Sequence, residues 1–188
     1  MTTKTNKSDE TLRLEYAFEK GINFKDRIIQ ITGEIEDQNS FDYLDAGLTE
    51  METKSKSSIK LKINSPGGSV YEALAMVGRI EDSKAHIVTE CYGHAMSAAG
   101  LILASGDKRR MSRRAWFMIH EISAGVVGTV TQMEEEVLQI KREMEAWSDA
   151  MADFTKKSKK FWWDLAQKKN AYLTAEECLK YGIVDELF

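Results

Sequence analysis

The chain has 188 residues, 43% of them hydrophobic and 30% charged, with a formal net charge of −4 and two cysteines. That size and balance fit one domain with a substantial core and exclude a disordered chain. The slight acidic excess removes any global case for a nucleic-acid or membrane-surface binder, and no apolar run reaches the roughly 20 residues that span a bilayer.

Residues 1–11 are polar and read as a flexible arm; without an apolar h-region no secretory signal is expected, and the expected location is the cytoplasm. Cys91 and Cys178 are too few for a disulfide framework, fit a reducing compartment, and read as small buried residues. LRLEYAFEKG allows a short helix stopping at Gly21, and RIIQI (27–31) reads as a strand. Phe41, Tyr43, Leu44, Leu48 and Met51 recur at helical spacing. IKLKI (59–63) reads as a second strand that runs into a turn at NSPGGS, and VYEALAMVGRI as an amphipathic helix. HIVTEC (86–91) is a third strand, LILASG a buried helical end and AWFMI (115–119) a fourth strand. Strands alternating with helices predict an α/β fold with a mostly parallel sheet, one domain over residues 12–188. Val130, Met133, Val137, Ile140, Met144, Trp147, Met151 and Phe154 step by three and four along one long helix. Such a stripe packs on its own core or on another subunit, and its length favours the second. KKSKKFWWDLAQKK then sets Phe161, Trp162 and Leu165 on one face between basic clusters.

Several residues offer chemistry. In GHAMSAAG (93–100) the one hydroxyl is Ser97; the stretch fits a reactive serine in a tight turn and equally the close-packed start of a buried helix. Three histidines can serve as base: His86 begins a strand, His94 lies three residues before Ser97, and His120 ends an apolar strand at a sheet edge. For a residue orienting that base, Asp149, Asp153, Asp164, Asp185 and Asn170 lie downstream, and spacing selects none. Gly67 and Gly68 in SPGGS fit either an oxyanion-donating loop or a plain strand-to-helix turn. Histidines and cysteines lack metal-ligand spacing, no phosphate-binding or dinucleotide fingerprint is present, and KRRMSRR (108–114) reads as a solvated loop. No metal and no cofactor are expected.

Five blocks in order, DRIIQITGEI, INSPGGSV, GHAMSAAGLILASG, FMIHE and YLTAEECLKYGIVDEL, resemble the Clp protease proteolytic subunit family from about residue 12 onward. The resemblance implies a crotonase-like fold of repeated ββα units with a long protruding handle helix, here about residues 129–157. It implies a serine endopeptidase core of stacked heptameric rings that degrades unfolded polypeptides delivered by an AAA+ unfoldase, hence an ATP-dependent system. Ser97 matches the nucleophile and His120 the base. The N–H groups of Gly68 and Ala98 match the oxyanion donors, with Gly67 beside them. Gly125 and Val126, in SAGVVGTV, fall in the Gly-rich segment along which substrate pairs as an added strand.

Three departures stand out. The family's aspartate position holds Asn170, His94 stands where glutamine is usual, and HEIS replaces the usual Gln-Pro continuation after the base. Asparagine can accept a hydrogen bond from imidazole but cannot neutralise imidazolium. A second expectation is therefore a weak or inactive ring subunit that scaffolds or regulates an active partner. A Ser-Lys peptidase resembling the signal peptide peptidase A family, and an acyl-CoA enzyme on the crotonase-like fold, are further alternatives.

Overall fold

The computed structural model describes Glu19 and residues 21–36, 39–167 and 170–188. The N-terminal arm and most of LRLEYAFEKG lie outside the described residues. In chain order the elements are β1 (Ile22–Asn23), β2 (Ile28–Ile35), α1 (Ser40–Lys54), β3 (Ile59–Gly68), α2 (Val70–Glu81), β4 (Ile87–Met96), α3 (Ala98–Ala104), β5 (Lys108–Met111), β6 (Trp116–Ile119), α4 (Val130–Phe154), α5 (Lys159–Ala166), β7 (Ala171–Thr174), α6 (Ala175–Tyr181) and β8 (Glu186–Leu187).

Period-two burial defines the central strand. Along β3 Ile59, Leu61, Ile63, Ser65 and Gly67 point inward and alternate with wetter residues. Strand β2 pairs parallel with β3, β3 with β4, and β4 with β5. Parallel neighbours need crossovers, and α1, α2 and α3 supply them in turn. Helix α1 buries Leu44, Leu48 and Met51, and α2 buries Ala73, Met76, Val77 and Ile80, each on one face. Helix α3 is buried at all seven positions, as its lack of any charged residue requires.

The sheet forks at β4. Val88–Cys91 pairs with β5, whereas His94–Met96 pairs with β6, which in turn runs antiparallel to β7. The fork presents the end of β4 and the end of β6 side by side.

Three expectations need correction. NSPGG is strand, not turn: the inward alternation continues through Ser65 and Gly67, and Pro66 is accommodated because both flanking ladders shift register there. Tyr92–Met96 likewise extends β4, so the first half of GHAMSAAG is strand. KRRMSRR is not a solvated loop: Lys108–Met111 forms β5. Arg109 is bonded to Asp185 at 2.5 Å and to the Phe154 carbonyl, and Arg110 is bonded to the buried Glu90 at 2.5 Å.

The long striped helix is α4, its start fixed by a capping box between Thr129 and Gln132. Its stripe divides. Met144, Trp147 and Met151 are buried in this chain's own core, where the Trp147 ring meets Trp162 of α5 edge-on at 6.2 Å. Val130, Met133 and Val137 are exposed, as is Leu138, which lies outside the stripe.

Candidate active site

Ser97 stands between the last residue of β4 and the first of α3, with φ 52° and ψ −126°. Few non-glycine residues adopt a positive φ, and strain of this kind persists only where the surroundings enforce it. The enforcement is visible: the Ser97 N–H donates to the Met118 carbonyl of β6 at 2.7 Å, and its carbonyl accepts from the Gly100 N–H at 3.0 Å. A serine at a helix N-cap ordinarily caps with its hydroxyl, but Ser97 makes no side-chain cap bond. Its Oγ instead lies 2.8 Å from His120 Nε2. The stretch is thus both things that its composition allowed, a turn carrying a presented serine and the start of a buried helix. Gly100 permits this, since a Cβ there would meet the Phe117 ring at 2.5 Å.

His120 follows β6 directly, so the fork that pairs β6 with β4 brings it to Ser97. If the Ser97 hydroxyl donates to Nε2, the ring proton resides on Nδ1. The β6–β7 ladder runs to Ile119 opposite Ala171, and one further step in the same register sets His120 opposite Asn170. Asn170 is exposed, and among the described residues no hydrogen bond joins its side chain to the ring. Three acidic candidates are engaged elsewhere: Asp149 with Lys159 at 2.7 Å, Asp164 with Lys160 at 2.7 Å, and Asp185 with Arg109. Asp153 is exposed near the C-terminal end of α4. His86 faces Asp107 at 3.6 Å, and the His94 backbone N–H donates to Asn64.

Gly67 and Gly68 have φ of 95° and 151°. A Cβ on Gly67 would lie 2.5 Å from the Met96 carbonyl and 2.8 Å from Ser97 Cβ. Only glycine lets the end of β3 come this close to the serine. The Gly67 N–H donates to Ser65 Oγ at 3.1 Å, which leaves Gly67 a steric role and removes it as an anion donor. Gly67, Gly68, Ala98, Ser97 and His120 line one cavity of about 790 Å³. Gly125 and Val126 do not line it; they follow Ala124, which does. Asn170 also lies outside its wall.

The rest of the wall escaped sequence reasoning. Ile140, Glu143, Met144 and Trp147 of α4 line the cavity, with Tyr71 of α2. The Tyr71 hydroxyl donates to Glu143, and the bonded carboxylate pushes the phenol pKa above its ordinary value. The helical spacing of Ile140, Glu143 and Trp147 was a usable signal, but nothing local says which element that face meets. The two cysteines take no part: both are buried, and burial raises the Cys91 thiol to about 12.

The site therefore offers a hydroxyl in contact with an imidazole, backbone N–H groups at the adjoining helix start, and a cavity of about 790 Å³ beside them. A family model described as Clp protease matches residues 17–188.

Proposed function

Because this chain belongs to the Clp protease family, a family of peptidases, we propose that it is a serine endopeptidase acting on unfolded polypeptide, with Ser97 as nucleophile and His120 as general base. The contact of 2.8 Å between Ser97 Oγ and His120 Nε2 carries this reading. Serine is inert until a base takes its proton, and this geometry supports that transfer.

The chemistry follows the acyl-transfer pattern. Ser97 Oγ attacks the scissile carbonyl as its proton passes to His120 Nε2. The developing oxyanion is received by the N–H groups of Gly68 and Ala98. His120 then gives the proton to the leaving amine as the C–N bond breaks, and water, deprotonated by the same ring, releases the acyl group from Ser97. Asn170 takes the orienting position across the β6–β7 ladder, where its carbonyl oxygen can accept from Nδ1–H. It supplies no charge to stabilise the imidazolium. Gly125 and Val126 lie on the irregular segment after His120, which we assign to substrate pairing. By family analogy the working form is a homo-oligomer of stacked rings supplied by an AAA+ unfoldase.

One observation favours a second reading. Asn170 makes no hydrogen bond to His120 among the described residues, which fits a ring subunit of low intrinsic activity that supports an active partner. Two measurements separate the readings. A fluorophosphonate probe labels the chain and not its Ser97→Ala variant if Ser97 is the nucleophile; labelling that survives the substitution removes that assignment. Labelling at Ser97 with no hydrolysis of fluorogenic peptides selects the second reading.

A further inference from the structure

The cavity beside Ser97 is chemically one-sided. Glu34, Glu36, Glu136 and Glu143 line it, and among the described residues no lysine or arginine does. None of the four forms an ion pair among the described residues. Glu143 is the least solvated, at 8% exposure, and among the described residues its one partner is the neutral hydroxyl of Tyr71. A buried carboxylate compensated by a single neutral donor is left short of counter-charge. Like charges in a cleft with low-dielectric walls also sum to a focused negative potential.

Beside Glu136 and Glu143, α4 also turns Ile140, Met144 and Trp147 to the cavity. An apolar lane flanking a carboxylate complements a side chain with an aliphatic stem and a cationic head. A purely aliphatic side chain fills the lane and leaves Glu143 uncompensated.

We infer that this cavity selects polypeptides carrying lysine or arginine beside the scissile bond, with Glu143 as the specificity-determining carboxylate and Glu136 reinforcing it. Selection of this kind rests on the Ser97 chemistry proposed above, and binding can be read separately from cleavage. Two fluorescent peptides differing only in lysine or leucine at the residue preceding the scissile bond are titrated by anisotropy into the full chain bearing Ser97→Ala, which prevents turnover. The same pair is offered to the unmodified chain for kcat/KM.

The lysine peptide is expected to bind about tenfold more tightly at low salt, as one desolvated charge-assisted contact provides. The preference shrinks towards parity in about 1 M salt, where screening acts over about 3 Å. Glu143→Gln retains an acceptor for Tyr71 and brings the ratio close to parity. Glu136→Gln, at an exposed position where folding is not at risk, lowers the ratio by a smaller factor. Equal binding of the two peptides, tighter binding of leucine, or no binding of the lysine peptide at millimolar concentration overturns the inference. Lysine preference in binding without cleavage of either peptide leaves the selection standing and removes the peptidase reading. Cleavage of both at equal kcat/KM, with equal binding, does the reverse.

Discussion

Ser97 adopts an unfavourable φ because its bonds to the Met118 carbonyl and the Gly100 N–H require it, and in the proposed mechanism the weak member of the site is another residue. Ser97 and His120 are in contact already, so in the proposed mechanism it falls to the uncharged Asn170 to hold the ring, and it supplies no charge to stabilise the imidazolium. An asparagine can also present its amide to the ring and favour the wrong tautomer, a defect that lowers kcat by about four orders of magnitude in a serine triad. Asn170→Asp is therefore expected to raise kcat for a fluorogenic peptide by about ten-fold to about 10⁴-fold. An unchanged kcat shows that the ring is oriented by another group. Gly67→Ala is expected to have the opposite effect. Its Cβ would be forced against the Met96 carbonyl and Ser97 Cβ, and the positive φ is strained for alanine. A loss of about 1–3 kcal/mol in stability and of fluorophosphonate labelling should appear together; full labelling at normal Tm shows that β3 can retreat without disturbing the serine.

At the scale of elements, α1 and α2 are joined by a polar clamp as well as by their apolar faces. Arg79 of α2 bonds Asp45 at 2.6 Å and Glu52 at 2.8 Å, and Glu52 also accepts from Ser83 and the Lys84 N–H. Burial pushes the Glu52 carboxyl up, yet the bonds from Arg79, Ser83 and Lys84 outweigh it and hold the group below its ordinary value. Its folded pKa is depressed, so its stabilisation is complete above the unfolded value of about 4.3 and is lost as pH falls through the folded value. Glu52→Gln is expected to cost about 1–3 kcal/mol near neutrality. The Tm gap between the two proteins should shrink as the pH falls below about 4.3; a gap independent of pH refutes the carboxylate's part. None of this clamp was legible in the sequence, because its members come from separate elements. Periodic apolar spacing made α1, α2 and α4 readable, and the HIVTEC and AWFMI runs made the first half of β4 and all of β6 readable. Strand β5 was hidden because its arginines look like loop residues until Glu90, Asp185 and Glu186 arrive from distant segments. The Pro-Gly pair hid the end of β3 in the same way, through a turn composition inside a strand. For the site, motif order pointed to Ser97, His120 and Gly68, whereas Tyr71 and Glu143 became visible only once α2 and α4 were placed around one cavity.

For the whole molecule, α4 is the element that carries both a wall of the cavity and an exposed apolar row. The stripe as a sequence feature favours contact with another subunit, but Trp147 is only 5% exposed and packs on Trp162 of its own chain. Trp147→Ala is therefore a core deletion, expected to cost about 3–5 kcal/mol and to lower Tm whatever the oligomeric state. The N-terminal part of the helix differs: Val130 is 73% and Leu138 55% exposed, with Met133 and Val137 alongside them in a shallow apolar surface. Single exposed apolar residues need no explanation, but a continuous row on one helix does. A second subunit is the partner that the family's ring architecture supplies. Val137→Asp with Leu138→Asp places two charges on that row and touches no buried position. The double variant is expected to sediment as smaller species in ultracentrifugation while its Tm stays near that of the parent. An unchanged sedimentation coefficient removes the row from the subunit interface. Because Glu143, Met144 and Trp147 of the same rigid helix form one side of the cavity, release of its N-terminal half from a neighbour should loosen that wall. The rate of fluorophosphonate labelling at Ser97 should then fall in step with oligomer size, whereas a labelling rate indifferent to dissociation means that each subunit holds its cavity in shape alone.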